Sequence, residues 1–509
     1  MIRPLFLFLF LITATWASAQ KRVRIDTAGY LYQGTQNGET LQRLISAVKL
    51  VQGSTVIYCD SAYLYTQSNK AIAYGHVRII DTVDSLDLSG DYMEYTGSNG
   101  VAKMRKNVVL KDDSTNLYTD FLDYDRNTQT GYYYNGGKLV DSTNVLKSKR
   151  GYYYSETKSA LFLDAVNLTN PDFTLETDSL DYSTLDKVAI TKGRTLAVSA
   201  DGDSLSTNVG FLYKSLEKYS EVYFGWIKTE DYRIYGDKLI ADDSIKYYQG
   251  DMNVKMETFS DSLTAYGDHV RYNKIESTAL IYDNAYLKKI MKGDSLFIKG
   301  DTIKSVQNEE LGKKYLSAFH NVQLYKSDFQ GAADSLSYNM MDSTIYMYNS
   351  PLIWNADSQI SADSIRIQLA DNRISKMFLN QNSFVISQDS AENFNQVKGR
   401  EMVVDFKEGI ISKTDVFGNG ESIYFAFDKK GALTMNKLSC SNMALYFNNN
   451  TVTELRTYRE VDGRLIPGPQ IVQPDRRLKG FKWLLDQKPT LESITGNRKQ
   501  IERNEIKQR

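Results

Sequence analysis

The chain has 509 residues, of which 61 are Lys or Arg and 62 are Asp or Glu, so its formal net charge at pH 7 is −1. A charge this close to zero gives no general affinity for nucleic acid. Tyrosine is abundant, with 36 residues, whereas proline and histidine are scarce, with 7 and 3, and this balance is typical of β-strands.

The first residues have the pattern of a secretory signal peptide. Arg3 precedes an apolar run over 5–12, and Ala17-Ser18-Ala19 is a small-x-small cleavage site. The run is shorter than the ~20 apolar residues that span a bilayer, so a membrane anchor is the less favoured interpretation. We therefore expect residues 1–19 to be removed on export.

A short phrase recurs along most of the chain with a period of about 30 residues. It consists of Asp, a variable residue and an apolar-x-apolar triplet. Its copies begin at Asp60, Asp91, Asp120, Asp178, Asp237, Asp268, Asp334 and Asp363, with weaker copies at Arg150 and Asp301. A second phrase, a small or polar residue before another apolar-x-apolar triplet, lies between them and begins at His76, Asn107, Ala165, Asn253, Asn284 and Asn321. Because both phrases alternate with period two, we predict an all-β stack of antiparallel hairpins.

The repeat predicts two modules and a tail. Residues 20–202 form the first module and residues 203–466 a second, more divergent module that is continuous with it. Residues 467–509 hold four of the seven prolines and carry a net positive charge. Disorder is the simpler interpretation of this tail, and docking to a partner or to lipid phosphates through Phe481 and Trp483 is the functional one.

The sequence contains no recognisable catalytic or metal-binding motif. The three histidines are scattered, and no GxSxG, HExxH or P-loop motif is present. One Asp per repeat could bind calcium or act as acid and base, but a series that does not converge favours a turn at the start of each strand. We therefore expect no enzymatic activity, no catalytic residue, no metal and no cofactor. A polysaccharide lyase would need a convergent charged cluster, which the sequence does not show.

Tyrosines recur at the apolar phase of the repeat, and two roles remain open for them. They could fill the core with the hydroxyl reaching water, or form an aromatic wall against a lipid or sugar. These residues are Tyr95, Tyr124, Tyr154, Tyr182, Tyr272 and Tyr338. The two cysteines, Cys59 and Cys440, are more than ten repeats apart, so within an extended array we expect free thiols or a bond between chains.

Two stretches resemble the repeat unit of the OstA/LptA family of periplasmic lipopolysaccharide-transport proteins. They are Tyr58-Cys59-Asp60-Ser61-Ala62-Tyr63 with Ala73-Tyr74-Gly75-His76-Val77-Arg78-Ile79, and Leu88-Ser89-Gly90-Asp91-Tyr92-Met93-Glu94-Tyr95 with Lys106-Asn107-Val108-Val109-Leu110. The tail phrase Arg477-Leu478-Lys479-Gly480-Phe481-Lys482-Trp483 resembles the C-terminal segment of the long OstA-like proteins of Bacteroidota.

The resemblance implies an elongated antiparallel β-jellyroll whose two sheets form an open V-shaped trough. It implies a non-enzymatic periplasmic protein that shields lipid A acyl chains and helps to carry lipopolysaccharide to the outer membrane, with which it could associate. The implied partners are lipopolysaccharide, other Lpt-type proteins including an outer-membrane barrel, and further copies of the chain stacked end to end. The inward-facing residues expected to contact lipid are Leu64, Val77, Ile79, Met93, Tyr95, Val108, Leu110, Leu122 and Tyr124. The alternative is a structural or carbohydrate-binding scaffold of the cell envelope with a closed, dry core.

Overall fold

The computed structural model describes residues 22–81, 83, 86–259, 262–291, 293–308, 312–371, 373–427, 431–448 and 451–496. The predicted signal peptide and the last part of the predicted tail, residues 497–509, lie outside the described residues. The chain divides into two compact units, unit 1 with residues 1–200 and unit 2 with residues 201–509. Each unit is described by itself.

Unit 1 is built from antiparallel strands that mostly follow one another in chain order. The strands are β1 Arg24–Thr27, β2 Tyr30–Gln36, β3 Glu39–Gln52, β4 Thr55–Tyr65, β5 Lys70–Asp81, β6 Leu86–Thr96, β7 Val101–Asp112, β8 Thr115–Asp125, β9 Thr130–Tyr133, β10 Gly137–Val140, β11 Val145–Ser148, β12 Arg150–Tyr154, β13 Ser159–Thr169, β14 Phe173–Ser183 and β15 Val188–Ser199.

Unit 2 has the same antiparallel organisation. Its strands are β16 Ser204–Lys214, β17 Tyr219–Lys228, β18 Tyr232–Asp242, β19 Tyr247–Thr258, β20 Leu263–Asn273, β21 Thr278–Tyr282, β22 Tyr286–Met291, β23 Asp294–Lys299, β24 Thr302–Asn308, β25 Lys313–Tyr325, β26 Phe329–Asn339, β27 Thr344–Tyr348, β28 Leu352–Asn355, β29 Ser358–Ser361, β30 Ser364–Ala370, β31 Arg373–Gln388, β32 Phe394–Lys407, β33 Ile410–Phe427, β34 Leu433–Asn448, β35 Thr451–Tyr458 and β36 Asp462–Pro467. Three 3₁₀ turns, Gly468–Gln470, Gln473–Arg476 and Leu485–Gln487, and one short helix, α1 Leu491–Thr495, follow.

The long strands of unit 1 are interrupted halfway by a two-residue bulge. In β7 the pairing with β8 shifts between Arg105 and Val108, where Lys106 and Asn107 have φ values of 60° and 50°. Because two successive left-handed residues redirect the chain, the two halves of a strand belong to different layers.

We name the layers by the turns that border them. In unit 1, layer A lies next to the turns at 66–69, 97–100, 126–129, 155–158 and 184–187, which form rim A. Layer B lies next to the turns at 53–54, 113–114, 141–144 and 170–172, which form rim B. In unit 2, layer A lies next to the turns at 215–218, 243–246 and 274–277, and layer B next to the turn at 229–231.

The repeated Asp lies at the bulges, so its expected place at the start of a strand was wrong. Asp91 Oδ2 accepts a hydrogen bond from Nδ2 of Asn107, the bulge residue of the next strand, at 2.7 Å. The same Asp–Asn contact recurs in unit 2, at Asp237–Asn253, Asp268–Asn284, Asp301–Asn321 and Asp363–Asn382. The two repeated phrases are therefore the two sides of one contact between successive bulges. Among the described residues, no group of three or more His, Cys, Asp and Glu could hold a metal ion.

The two layers of unit 1 face each other across a packed core. A Cβ added to Gly131 of layer A would lie 3.2 Å from Leu122 Cδ1 and 3.8 Å from Cδ2 of Leu110, which is in layer B. A Cβ added to Gly90 of layer B would likewise lie 3.2 Å from Cε of Met104, which is in layer A. The apolar phase of every long strand therefore points into the same interior, as period-two alternation predicts.

Residues 468–496 form a strap that runs back along unit 2; we call them the C-terminal strap. The side chain of Gln396 accepts from the backbone N–H of Leu478 and donates to the carbonyl of Arg476, both at 2.8 Å. Gln359 makes the same pair of contacts with Leu484 N–H and Lys482 carbonyl, both at 2.7 Å. Two buried glutamines thus replace a neighbouring strand as hydrogen-bonding partners of the strap.

Apolar side chains of the strap cover the outer face of layer B in β31–β34. Leu478, Phe481 and Trp483 belong to a cluster with Phe384, Ile386, Phe394, Ile423, Phe425 and Met435. The rings of Phe394 and Trp483 have centroids 5.3 Å apart. Neither interpretation of the described part of the tail was right, because it is folded and its aromatic residues bind this chain itself. Within the described residues, no helix is long and apolar enough to cross a membrane.

Replacing Trp483 tests the strap. Trp483→Ala should lower the free energy of unfolding of unit 2 by about 2 kcal/mol, because an aromatic side chain is removed from an apolar cluster. Leu485→Ala is the matched control, since Leu485 is 49% exposed and should change the same quantity by less than ~0.5 kcal/mol. Urea denaturation of residues 20–509 measures both, and equal effects would contradict the account.

Candidate functional site

The nine residues expected to contact lipid all lie on the inner face of unit 1. Leu64, Met93, Tyr95, Leu122 and Tyr124 are in layer A, and Val77, Ile79, Val108 and Leu110 are in layer B. None is more than 5% exposed. The structure therefore brings the predicted set together as one interior, while its contact with lipid stays a prediction.

Buried ion pairs join rim A to rim B at the open side of this interior. Lys158 of rim A forms an ion pair with Asp112, the last residue of β7 before rim B. Tyr153 Oη donates to the other carboxylate oxygen of Asp112 at 2.8 Å. Asp112 is 6% exposed, so the pair lies in a medium of low dielectric constant. We call such a contact a rim latch.

A second rim latch follows one repeat later. Lys187 Nζ of rim A lies 2.9 Å from Asp141 Oδ2 of rim B, and Tyr182 Oη donates to the same carboxylate. Burial alone would raise the pKa of Asp141, but hydrogen bonds from Tyr182, Lys187 and the backbone of Thr143 and Asn144 hold that pKa at about 2. The carboxylate is therefore charged and fully paired.

A looser latch precedes these two. Arg126 Nη2 lies 3.4 Å from Asp81 Oδ2, which also accepts hydrogen bonds from Ser54 and Thr55 at 3.0 and 2.6 Å. Nearby, Tyr95 Oη donates to the side chain of Gln52. The three latches close the side on which a V-shaped trough would be open.

The latches were not predicted from the sequence, although they have a sequence signal. The tyrosine lies 41 residues and the lysine 46 residues after the aspartate in both strong latches. These steps are not multiples of the 30-residue period, because each latch joins opposite rims. A search at a single period cannot detect them.

The structure corrects the role of two tyrosine positions. Two roles were open for Tyr95 and Tyr182, core filling with the hydroxyl in water or an aromatic wall against a ligand, and their hydroxyls instead bond to groups of rim B. Tyr153, which is 2% exposed, occupies the inward position that was predicted for Tyr154. Tyr154 lies on the outer face, where its ring stacks on that of Tyr152 with centroids 6.3 Å apart.

The inner face of unit 2 is partly exposed along β16–β20. Apolar residues of layer B are paired in successive strands there, as in the pair of Ile227 and Ile234 and the pair of Ile234 and Met256. Both pairs are partly exposed, as are Leu205 and Leu263 on the same face. Tyr248 and Tyr272 stack in layer A, with centroids 6.0 Å apart. We call this region the partly open stretch.

Both cysteines are buried and free. Burial raises the pKa of the Cys59 thiol to about 12, and it also raises the pKa of Cys440. A thiol with a raised pKa is a poor nucleophile, so both cysteines are inert core residues in this structure.

Removing one partner of a latch should destabilise unit 1 strongly. Asp141→Ala leaves Lys187, whose side chain is only 17% exposed, without its counter-ion and should cost about 3 kcal/mol in the free energy of unfolding. The control is Asp181→Ala, because Asp181 pairs with Lys192 on the surface, with side chains 44% and 73% exposed, and should cost less than ~1 kcal/mol. Urea denaturation compares them, and a cost at Asp141 no larger than that at Asp181 would show that the latch is unimportant.

The latch at Asp141 should also make stability depend on pH. Its pKa falls from 3.8 to about 2 on folding, so the stabilisation is present above pH ~4 and is lost as pH falls through ~2. The shift corresponds to about 2 kcal/mol. Thermal melts between pH 5 and pH 2 should therefore show a smaller loss of stability for Asp141→Asn than for the unmodified chain, and parallel losses would contradict this assignment.

Comparison with known proteins gives one family match and one similar solved structure. Residues 20–178 match the model of the OstA-like protein family, whereas no curated protein matches the chain. Among solved structures, the chain is similar to LptH of Pseudomonas aeruginosa, described as the LptA homologous periplasmic component of the lipopolysaccharide transport device. The two are 18% identical, the alignment covers 21% of this chain and 81% of LptH, and the TM-score is 0.20. The segment matched by the OstA-like model, residues 20–178, holds both stretches whose resemblance was noted in the sequence.

Proposed function

We propose that this chain is a non-enzymatic periplasmic protein that binds lipopolysaccharide, shields its lipid A acyl chains and helps to carry it to the outer membrane. The observation that supports this proposal is the inner face of unit 1. It is apolar in both layers and lies mainly in the OstA-like segment. LptH, to which the chain is similar, is described as a component of a lipopolysaccharide transport device.

Energy considerations allow acyl chains to enter between the layers. Burying an acyl chain contributes ~0.8 kcal/mol per methylene, so twelve carbons contribute roughly 10 kcal/mol. The core side chains would lose contacts with one another and gain contacts with the lipid, so they would stay out of water. The main cost is the separation of the rims, in which each latch exchanges its ion pair and hydrogen bonds for contacts with water. About 3 kcal/mol per latch is an upper bound on this cost, because that is the cost when one charge stays buried without a partner. One acyl chain can therefore offset the opening of two or three latches.

The partly open stretch is the proposed place of entry. Its inner residues, including Ile227, Ile234 and Met256, are already partly exposed, so a chain can bind there before any latch opens. To bury more of its length, the acyl chain would then have to displace contacts between side chains of the packed core. Lateral entry into unit 1 requires the latches to open first.

An exposed sheet edge in each unit supports a role in binding partners. Among the described residues, β2 pairs on one side only, with β3, and Tyr30 and Tyr32 are 63% and 59% exposed. β36 is likewise paired with β34 alone. Such edges can accept a strand from another chain. We propose further copies of this chain and other Lpt-type proteins, including an outer-membrane barrel, as the partners.

A structural or carbohydrate-binding scaffold is the second candidate function. The observation that favours it is the close packing of unit 1, where the nine inner residues are between 0% and 5% exposed. A scaffold needs no opening, and its rims would stay joined in every state.

Photocrosslinking in cells separates the two candidates. A photoreactive residue at Met93 or Leu122, which face inward, should label lipopolysaccharide because the acyl chains pass between the layers. Glu94 and Asp123 are the matched controls, since they are the next residues in the same strands and face outward. Labelling from 94 and 123 alone, or from neither pair, would favour the scaffold.

A further inference from the structure

We propose that a cavity at the C-terminal end of unit 2 binds a single hydrocarbon chain that carries a neutral hydrogen-bonding group. This inference rests on the proposed lipid-binding function and names the class of ligand that one part of the interior takes. The cavity has a volume of about 260 Å³ and lies between the two layers of β29 and β31–β35.

The two walls of the cavity have different chemistry. The wall from layer A is mainly apolar, with Ile411, Leu445, Phe447, Val452 and Leu455. The wall from layer B is rich in neutral polar groups, with Ser358, Ser387, Asn395, Ser422 and Asn436 beside Val385 and Val397. A ligand that fits both walls is amphipathic. Its hydrocarbon part contacts the apolar wall, and its hydrogen-bonding group contacts the polar wall.

Several polar groups of layer B have no partner inside the protein. Asn395 is partly used, because its Oδ1 accepts a hydrogen bond from the backbone N–H of Phe425 at 2.9 Å. In the described residues, the side chains of Ser387, Ser422 and Asn436 make no hydrogen bond within the chain. Ser422 is nevertheless only 4% exposed. None of these three side chains is among the fully enclosed polar groups that lack a partner, so their polar atoms keep surface that faces the cavity, where a ligand or water can bond to them.

The charge of the lining residues decides between neutral and anionic ligands. The described residues that line the cavity include no Lys, Arg or His, and Glu454 is the one carboxylate among these described residues. Placing a carboxylate or phosphate there would leave it without a counter-ion, which is costly in a partly buried site. Hydroxyl and amide groups suit an ester, an amide or a hydroxyl instead.

The volume decides how much of a ligand fits. At ~30 Å³ for each water-sized group, 260 Å³ holds roughly nine such groups. This is one short chain or a segment of a longer one. A molecule with several acyl chains could place only part of one chain here, so this site differs from the long inner face of unit 1.

The C-terminal strap covers the reverse side of the polar wall. Ile423, which follows Ser422 in β33, packs on the outer face in the same cluster as Leu478 of the strap. Gln396, another residue at the cavity, is held by the strap backbone at 2.8 Å on both sides of its amide. The strap therefore fixes the position of the wall that carries the polar groups.

Titration calorimetry with residues 20–509 tests the assignment. The probes are glycerol monolaurate, which has a neutral ester and hydroxyl groups, and laurate, which has the same chain with a carboxylate, both below their micellar concentrations. We expect glycerol monolaurate to bind at least tenfold more tightly than laurate. Asn436→Leu keeps the branching and the number of heavy atoms of the side chain and removes the hydrogen-bonding amide, so it should weaken the binding of glycerol monolaurate about tenfold.

Lys398→Gln is the matched control because Lys398 lies on the outer face of β32, next to Glu421 at 3.5 Å, and it should leave affinity unchanged. Circular dichroism melts confirm that each variant is folded, and Ser422→Ala provides a second, smaller change at the same wall. No binding, equal binding of laurate, or equal affinity of Asn436→Leu and the unmodified chain would overturn the proposal. If position 93 labels lipopolysaccharide while glycerol monolaurate does not bind, this inference fails alone. If glycerol monolaurate binds while position 93 does not label lipopolysaccharide, the proposed transport function fails and the cavity assignment stands.

Discussion

The bulge at the middle of each long strand is the constraint on which the rest of unit 1 depends. Lys106 and Asn107 are both left-handed, a conformation that costs an L-residue roughly 1 kcal/mol. The contact of Asn107 with Asp91 at 2.7 Å holds the bulge in place. Without the bulges the strands would continue straight, one face of the sheet would remain exposed to water, and no interior would form between two layers.

Two layers that meet at a line of bulges must still be held together at their free rims. An apolar core attracts the layers but does not specify where the rims meet, because hydrophobic contact has no direction. The rim latches supply this specificity, since Asp112 and Asp141 each accept from one tyrosine and one lysine of the opposite rim. Their burial also makes them costly to break. The same contacts therefore define the closed form and set the work needed to open it.

Sequence alone predicted the all-β repeat, the inward phase of Met93 and Leu122, and the OstA-like character of the first segment, because each rests on local alternation or on short phrases. It could not predict what the repeated Asp does, since a bulge and a turn favour the same residue types. It also missed that Phe384 and Ile386 face outward beneath the strap. Strands that are apolar on both faces lose their alternation, and this explains why the last recognisable copy of the Asp phrase begins at Asp363. The latches and the mixed walls of the C-terminal cavity join distant residues, and no single period reports them.

The central claim is that rims A and B are joined in the unloaded protein and must separate to admit lipid. The most direct measurement is the distance between spin labels at Thr128 of rim A and Ser114 of rim B, both exposed, in a chain whose two cysteines are replaced by serine. Electron–electron double resonance should give one short distance for the free protein and a longer one after lipopolysaccharide is added. A distance that stays short while lipopolysaccharide is bound would contradict the account.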